Sequence, residues 1–109
     1  MNLRDIPFET TDGAAVPSTE RRGASGVAGW RTRQLGDLRV RVLKYSPGYR
    51  ADRWCEKGHI LFCVEGELHT ESKDGRMAVL KPGMSYHVAD GAEAHRSFTP
   101  SGATLFVVD

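Results

Sequence analysis

The chain has 109 residues and a formal net charge of +1, with 39% hydrophobic and 27% charged residues. That is one ordinary globular domain with a modest core, for which self-association would add stability. The near-neutral charge argues against nucleic acid as the main partner, because phosphate binding needs clustered positive charge. No apolar run of about 18 residues exists, so no membrane helix is expected. The stretch MNLRDIPFET lacks an apolar signal core, so a cytoplasmic, reducing location is the default. Cys55 and Cys63 are then expected as free thiols.

Residues 1–28 show weak periodicity and are broken by Pro7, Pro17, Gly23 and Gly26. They are read as an irregular N-terminal arm, with a short strand or helical turn at most, anchored by Ile6 and Phe8. Residues 29–109 are read as the domain proper. Trp30 to Gln34 and Leu38 to Val42 alternate with period two, the pattern of half-buried strands. The basic residues Arg31, Arg33, Arg39, Arg41, Lys44 and Arg50 fall between apolar ones, and most of them are read as the solvated side. Ser46-Pro47-Gly48 is a turn signal. His59 to Val64 is a short apolar run, expected to be buried on both faces. Lys73-Asp74-Gly75 predicts a hairpin between strands over 68–72 and 76–80. Further strands are expected over 84–88, 95–99 and 104–108. Short strands at this spacing, with no helical period after residue 30, make the fold class all-β, a closed or double-sheet barrel.

Chemistry-bearing residues crowd into 48–66, GYRADRWCEKGHILFCVEG. Cys and His are ligands for borderline metals and also form nucleophile–base pairs. Each has a plainer reading. Cys55 is either an inert buried thiol or a ligand. His59 and His95 are either core histidines satisfied by hydrogen bonds or members of a pocket. Cys63, between Phe62 and Val64, reads as core, and His69, between Glu67 and Glu71, as surface. Arg53 either pairs with Asp52 or Glu56 at the surface or offers its fork to an anionic ligand. Trp54 is either a core plug or a wall for a ligand, and Tyr86 and His87 are candidate pocket residues.

These turns and ligands together resemble the small single-domain cupins. The first cupin motif runs roughly G-x5-H-x-H-x3-4-E-x6-G. Gly66 fits its last glycine, His59 falls at the Glu position, Cys55 at the second His and Arg53 at the first, with Gly48 opening it one residue short. In the second motif Gly83 and Gly91 fit, Ala89 replaces Pro, His95 is the histidine and Thr99 replaces Asn. Asp52-Arg53-Trp54-Cys55 is similar to the cluster of the compact "DHCW motif" cupins, with Arg53 where a histidine is expected.

The resemblance implies a cupin-type jelly-roll β-barrel with the arm laid over it, an internal pocket for a small-molecule ligand, and a homodimer. It also implies a divalent metal (Zn, Fe, Mn or Ni) on Cys55, His59 and His95. Arg53, Trp54, Tyr86 and His87 would line the ligand pocket. The alternatives are a metal-free module for an anionic or sugar-like ligand, and a non-catalytic homodimeric scaffold. Arg53 cannot ligate a metal and would repel one if turned inward.

Overall fold

The computed structural model describes residues 3–109. Ten strands form two antiparallel sheets: β1 (Thr19–Arg22), β2 (Val27–Leu35), β3 (Leu38–Tyr45), β4 (Tyr49–Arg50), β5 (His59–Gly66), β6 (Leu68–Ser72), β7 (Met77–Leu80), β8 (Ser85–Val88), β9 (His95–Thr99) and β10 (Ala103–Val108). The larger sheet runs β1-β2-β3-β10-β5-β8 and the smaller β4-β9-β6-β7. The hairpin turn expected at residues 73–75 is present, with Gly75 at φ 97° and β6 paired to β7 from Leu68↔Leu80 to Glu71↔Met77.

Alternation decides which side chains meet between the sheets. Leu43, Leu61, Cys63, Leu68, Leu80, Ala103, Leu105 and Val107 form the core, with Trp30, Tyr45 and Tyr86 packed against it. Cys63 is fully buried and free. The register between β10 and β5 shifts after Thr104, which skips Val64 and keeps Leu105 opposite Cys63 on the inner face.

Four expectations need correction. His59–Val64 is not buried on both faces. His59, Leu61 and Cys63 point in, whereas Ile60, Phe62 and Val64 are about half exposed on the outer face. An apolar run reports that either face tolerates apolar residues, not that both are covered. Phe8 does not anchor the N-terminal segment, because its side chain is fully exposed; Ile6 is half-buried. What holds the segment is Arg31, whose Nη1 donates to the carbonyls of Gly13, Ala14 and Val16. The stretch also contributes a 3-10 turn, Gly13–Ala15, capped by the Asp12 side chain, and β1, which pairs with β2 from Thr19↔Trp30 to Arg22↔Val27. The third correction concerns Arg39 and Arg41, expected on the solvated side. They turn toward the buried carboxylate of Asp109: Arg39 Nε donates at 2.8 Å and Arg41 Nη2 at 2.7 Å. The fourth concerns Arg53, which pairs with neither Asp52 nor Glu56; Asp52 is held by Arg21 at 3.2 Å. No helix among the described residues is long and apolar enough to cross a membrane.

Candidate functional site

Between the sheets lies a cavity of about 390 Å³, walled by Cys55, His59, His95, Tyr86, Trp54 and Arg53 together with Arg41, Tyr45, Ser97 and core residues. Its size falls in the ordinary range for small-ligand sites. Every candidate residue named above except His87 therefore faces one space. His87 is exposed. It follows Tyr86 on β8, so the pleat sends it to the opposite face, where it lines neighbouring clefts.

Three segments position the polar groups. His59 opens β5 and His95 opens β9. Cys55 precedes β5 in an irregular segment, but its backbone exchanges both hydrogen bonds with His95, at 2.7 and 2.9 Å. This closely paired bridge sets the two side chains next to each other on one face. Gly58 lies against the backbone of Val88, Ala89 and Asp90, where any side chain would collide. Its N–H donates to Asp90 Oδ1 at 2.7 Å. The close approach pins the chain just before His59.

The ring environments differ. His95 Nδ1 lies 2.9 Å from the Glu93 carbonyl oxygen, which can only accept, so Nδ1 carries the proton and the neutral ring has its lone pair on Nε2. That Nε2 is buried without a hydrogen-bond partner. The Cys55 thiol approaches the ring outside normal hydrogen-bond geometry. The interaction with His95 is the main cause holding the thiol below its ordinary pKa, and the thiol in turn raises His95. A sulfur nucleophile and a base thus stand side by side at the cavity wall.

His59 is the opposite case. Burial, helped by the nearby His95, pushes its pKa down to about 4, so the ring is neutral at pH 7. Its Nε2 is 2.8 Å from the Tyr86 hydroxyl. Its Nδ1 is buried and unpartnered, 3.8 Å from Asp109 Oδ2, too far for a hydrogen bond. The His59 and His95 ring centroids are 5.0 Å apart at 80°. Burial raises the pKa of Tyr86 and Tyr45, so both phenols keep their protons and remain donors.

At the rim, Trp54 is half-buried with the Arg96 guanidinium 4.3 Å over its ring. Arg96 is also tied to Glu71 at 2.6 Å. His69, expected at the surface, is half-buried; it bonds Glu67 at 2.9 Å and lies against Phe98 on the far side of the small sheet. Arg41 is the residue that sequence reasoning misses. Its period-two pattern marks a strand but not which face looks inward.

The donor types for a divalent ion are present: the free lone pair of His95 Nε2 with a thiol beside it, and His59. The latter would ligate only after a proton moves, since its Nδ1 keeps the ring proton while Tyr86 donates to Nε2. The geometry of a cage is not, because among the described residues no three His, Cys, Asp or Glu side chains are grouped to hold an ion.

Two sheets facing each other around an internal cavity, with histidines at the starts of β5 and β9, define a double-sheet β-barrel. Comparison with solved structures identifies which one. An RmlC-like cupin from Shewanella frigidimarina superposes with a TM-score of 0.72 at 20% identity, covering 94% of this chain and 90% of that one. A predicted oxalate decarboxylase from Thermotoga maritima gives 0.78 at 13% identity, covering 92% and 96%. The structure of Fe(II)-HppE with an alternative substrate gives 0.76 at 17% identity, covering 99% of this chain and 62% of that one. The chain has the cupin jelly-roll fold. No protein-family model matches the sequence, and no curated protein sequence matches it. At these identities the likeness is one of fold, and a fold does not choose a reaction.

Proposed function

We propose that this chain is a small-molecule-binding cupin whose ligand sits between the two sheets. One observation carries the reading: His59 and His95 line the same cavity, and each keeps one buried ring nitrogen, Nδ1 of His59 and Nε2 of His95, without a hydrogen-bond partner. Buried polar atoms are nearly always satisfied, and a guest between the sheets, drawing the two rings toward it, would supply the missing partners. Trp54 and Tyr86 supply flat walls for it. A thermal-shift screen of small acids and sugars tests this. At least one compound should raise Tm saturably, through preferential binding to the native state. Ala51→Trp, which places a large ring at the cavity wall, should abolish the shift. A shift that survives in Ala51→Trp would place the ligand elsewhere.

A divalent-ion reading of the same pocket is favoured by the donor set. Cys55, His59 and His95 would draw together on the ion, leaving a position open for water or substrate. Fe(II)-HppE carries its metal in a similar fold. Metal analysis after gentle, chelator-free purification should find close to one equivalent, lost in Cys55→Ala and His95→Ala. Less than about a tenth of an equivalent would count against it.

The same proposal includes a homodimer. The outer face of the larger sheet exposes Val42, Ile60, Phe62, Val64 and Phe106, neighbours across β3, β10 and β5, and contiguous apolar patches of this kind mark interfaces. Sedimentation at micromolar concentration should give a dimer, and Phe62→Lys a monomer. A monomeric wild type would end the dimer reading.

A further inference from the structure

We infer that the ligand of this cavity is a small organic oxyanion, a carboxylate or phosphate headgroup on a compact body, received inside the barrel by Arg41 and at the mouth by Arg53. The inference rests on the small-molecule reading and specifies the chemistry of its guest.

Four guanidinium groups and one carboxylate line the cavity: Arg21, Arg41, Arg53 and Arg96 against Asp52. Two of the four are spent. Arg21 holds Asp52, and Arg96 is fixed between Glu71 and the Trp54 ring. Arg53 is exposed at the rim and makes no ion pair among the described residues. Arg41 is the deeper one. Its side chain is only 18% exposed, and it shares the side-chain carboxylate of Asp109 with Arg39. Arg41 is thus a largely buried cation whose one carboxylate contact is divided with a second arginine. Arg39, at 39% exposure, meets water; Arg41 has little access to it.

The decisive atom is Arg41 Nε, a buried N–H with no partner. A guanidinium cannot shed its proton to escape this position, and its rigid array of donors matches oxyanions better than any other ligand class. An oxyanion entering the cavity would give the Arg41 guanidinium a second anionic contact, and a small shift of the side chain would bring the buried Nε–H to it. A neutral sugar would offer an acceptor without the charge.

Isothermal titration at fixed salt concentration, with succinate and glycerol 3-phosphate against their neutral counterparts succinamide and glycerol, tests the inference. At least one anion should bind at least about tenfold more tightly than its counterpart, the scale of one charge-assisted hydrogen bond. Which anion wins separates carboxylate from phosphate. Arg41→Gln should lose about tenfold or more of that affinity and Arg53→Gln a few-fold. Arg53 is exposed, so its variant should fold normally and gives a readout even where Arg41→Gln is unstable. Neutral compounds binding as tightly as the anions would overturn the anion inference and leave the cavity reading standing. Anion binding unchanged in Arg53→Gln and in Arg41→Gln would overturn it as well. No binding by any of the four, nor by sugars, would bring down both.

Discussion

Replacing Asp109 with Ala should lower the unfolding free energy by about 3 kcal/mol, one of the largest single-residue losses in the chain. The Asp109 side chain is fully buried and accepts from Arg39 Nε and Arg41 Nη2 at 2.8 and 2.7 Å. Truncating one partner of a buried ion pair costs several kcal/mol, mostly because the other charge stays behind uncompensated. Here two charges stay behind. Arg39 recovers part of its hydration, which keeps the figure at the low end of the range. Arg41 does not. The Asp109→Asn variant should lose nearly as much, since an amide keeps the shape without the charge. Urea denaturation of both variants measures this. A loss below about 1 kcal/mol would mean that the pair behaves as a surface salt bridge.

Gly66→Ala should be comparably severe, by at least about 3 kcal/mol, for a reason that combines two effects. Gly66 has φ 78°, a conformation costly for any residue with a Cβ. The added methyl would also be driven into the Gly102 carbonyl oxygen, with the Ala103 Cα at 2.9 Å. Both obstacles are backbone, just before and at the start of β10, so neither can rotate aside. Gly75→Ala separates the two effects. Its φ is 97°, but nothing lies within 4 Å of the new Cβ, so it should cost only about 1 kcal/mol of strain. Equal losses at the two positions would show that packing against Gly102 contributes nothing.

Much of this architecture is legible from the chain. The turn signals at Ser46-Pro47-Gly48 and Lys73-Asp74-Gly75, and the alternation of Leu38 to Val42, yield a double-sheet barrel because turn chemistry and strand period are local properties. Motif spacing singles out Cys55, His59 and His95, and they do line one cavity. The orientation of strands is less local. In β3 either face could look inward, and the one that does carries Leu43 into the core and turns Arg39 and Arg41 to Asp109, 70 and 68 residues away in sequence. No window along the chain contains that pairing. His87 and Tyr86 pose the same problem in miniature, since adjacent strand residues always face opposite ways and periodicity alone does not say which is inside. Ile60, Phe62 and Val64 are apolar without being in the core, as residues bound for an interface also are.

The arginine that the alternation pattern hides changes the character of the pocket. A barrel floor with only Cys55, His59 and His95 would suit a cation. The same floor with Arg41 beside it carries positive charge of its own and is suited to an anionic guest, with or without an ion present.

Whether His59 and His95 face a ligand between the sheets can be read directly by ring-nitrogen NMR. The chain has four histidines, and two of them lie outside the cavity as internal controls. In ¹⁵N-histidine-labelled protein titrated with succinate, saturable shifts are expected at His59 Nδ1 and His95 Nε2, with His69 and His87 unmoved. Shifts confined to His69 or His87, or none at His59 and His95 up to high millimolar succinate, would contradict a ligand at this site.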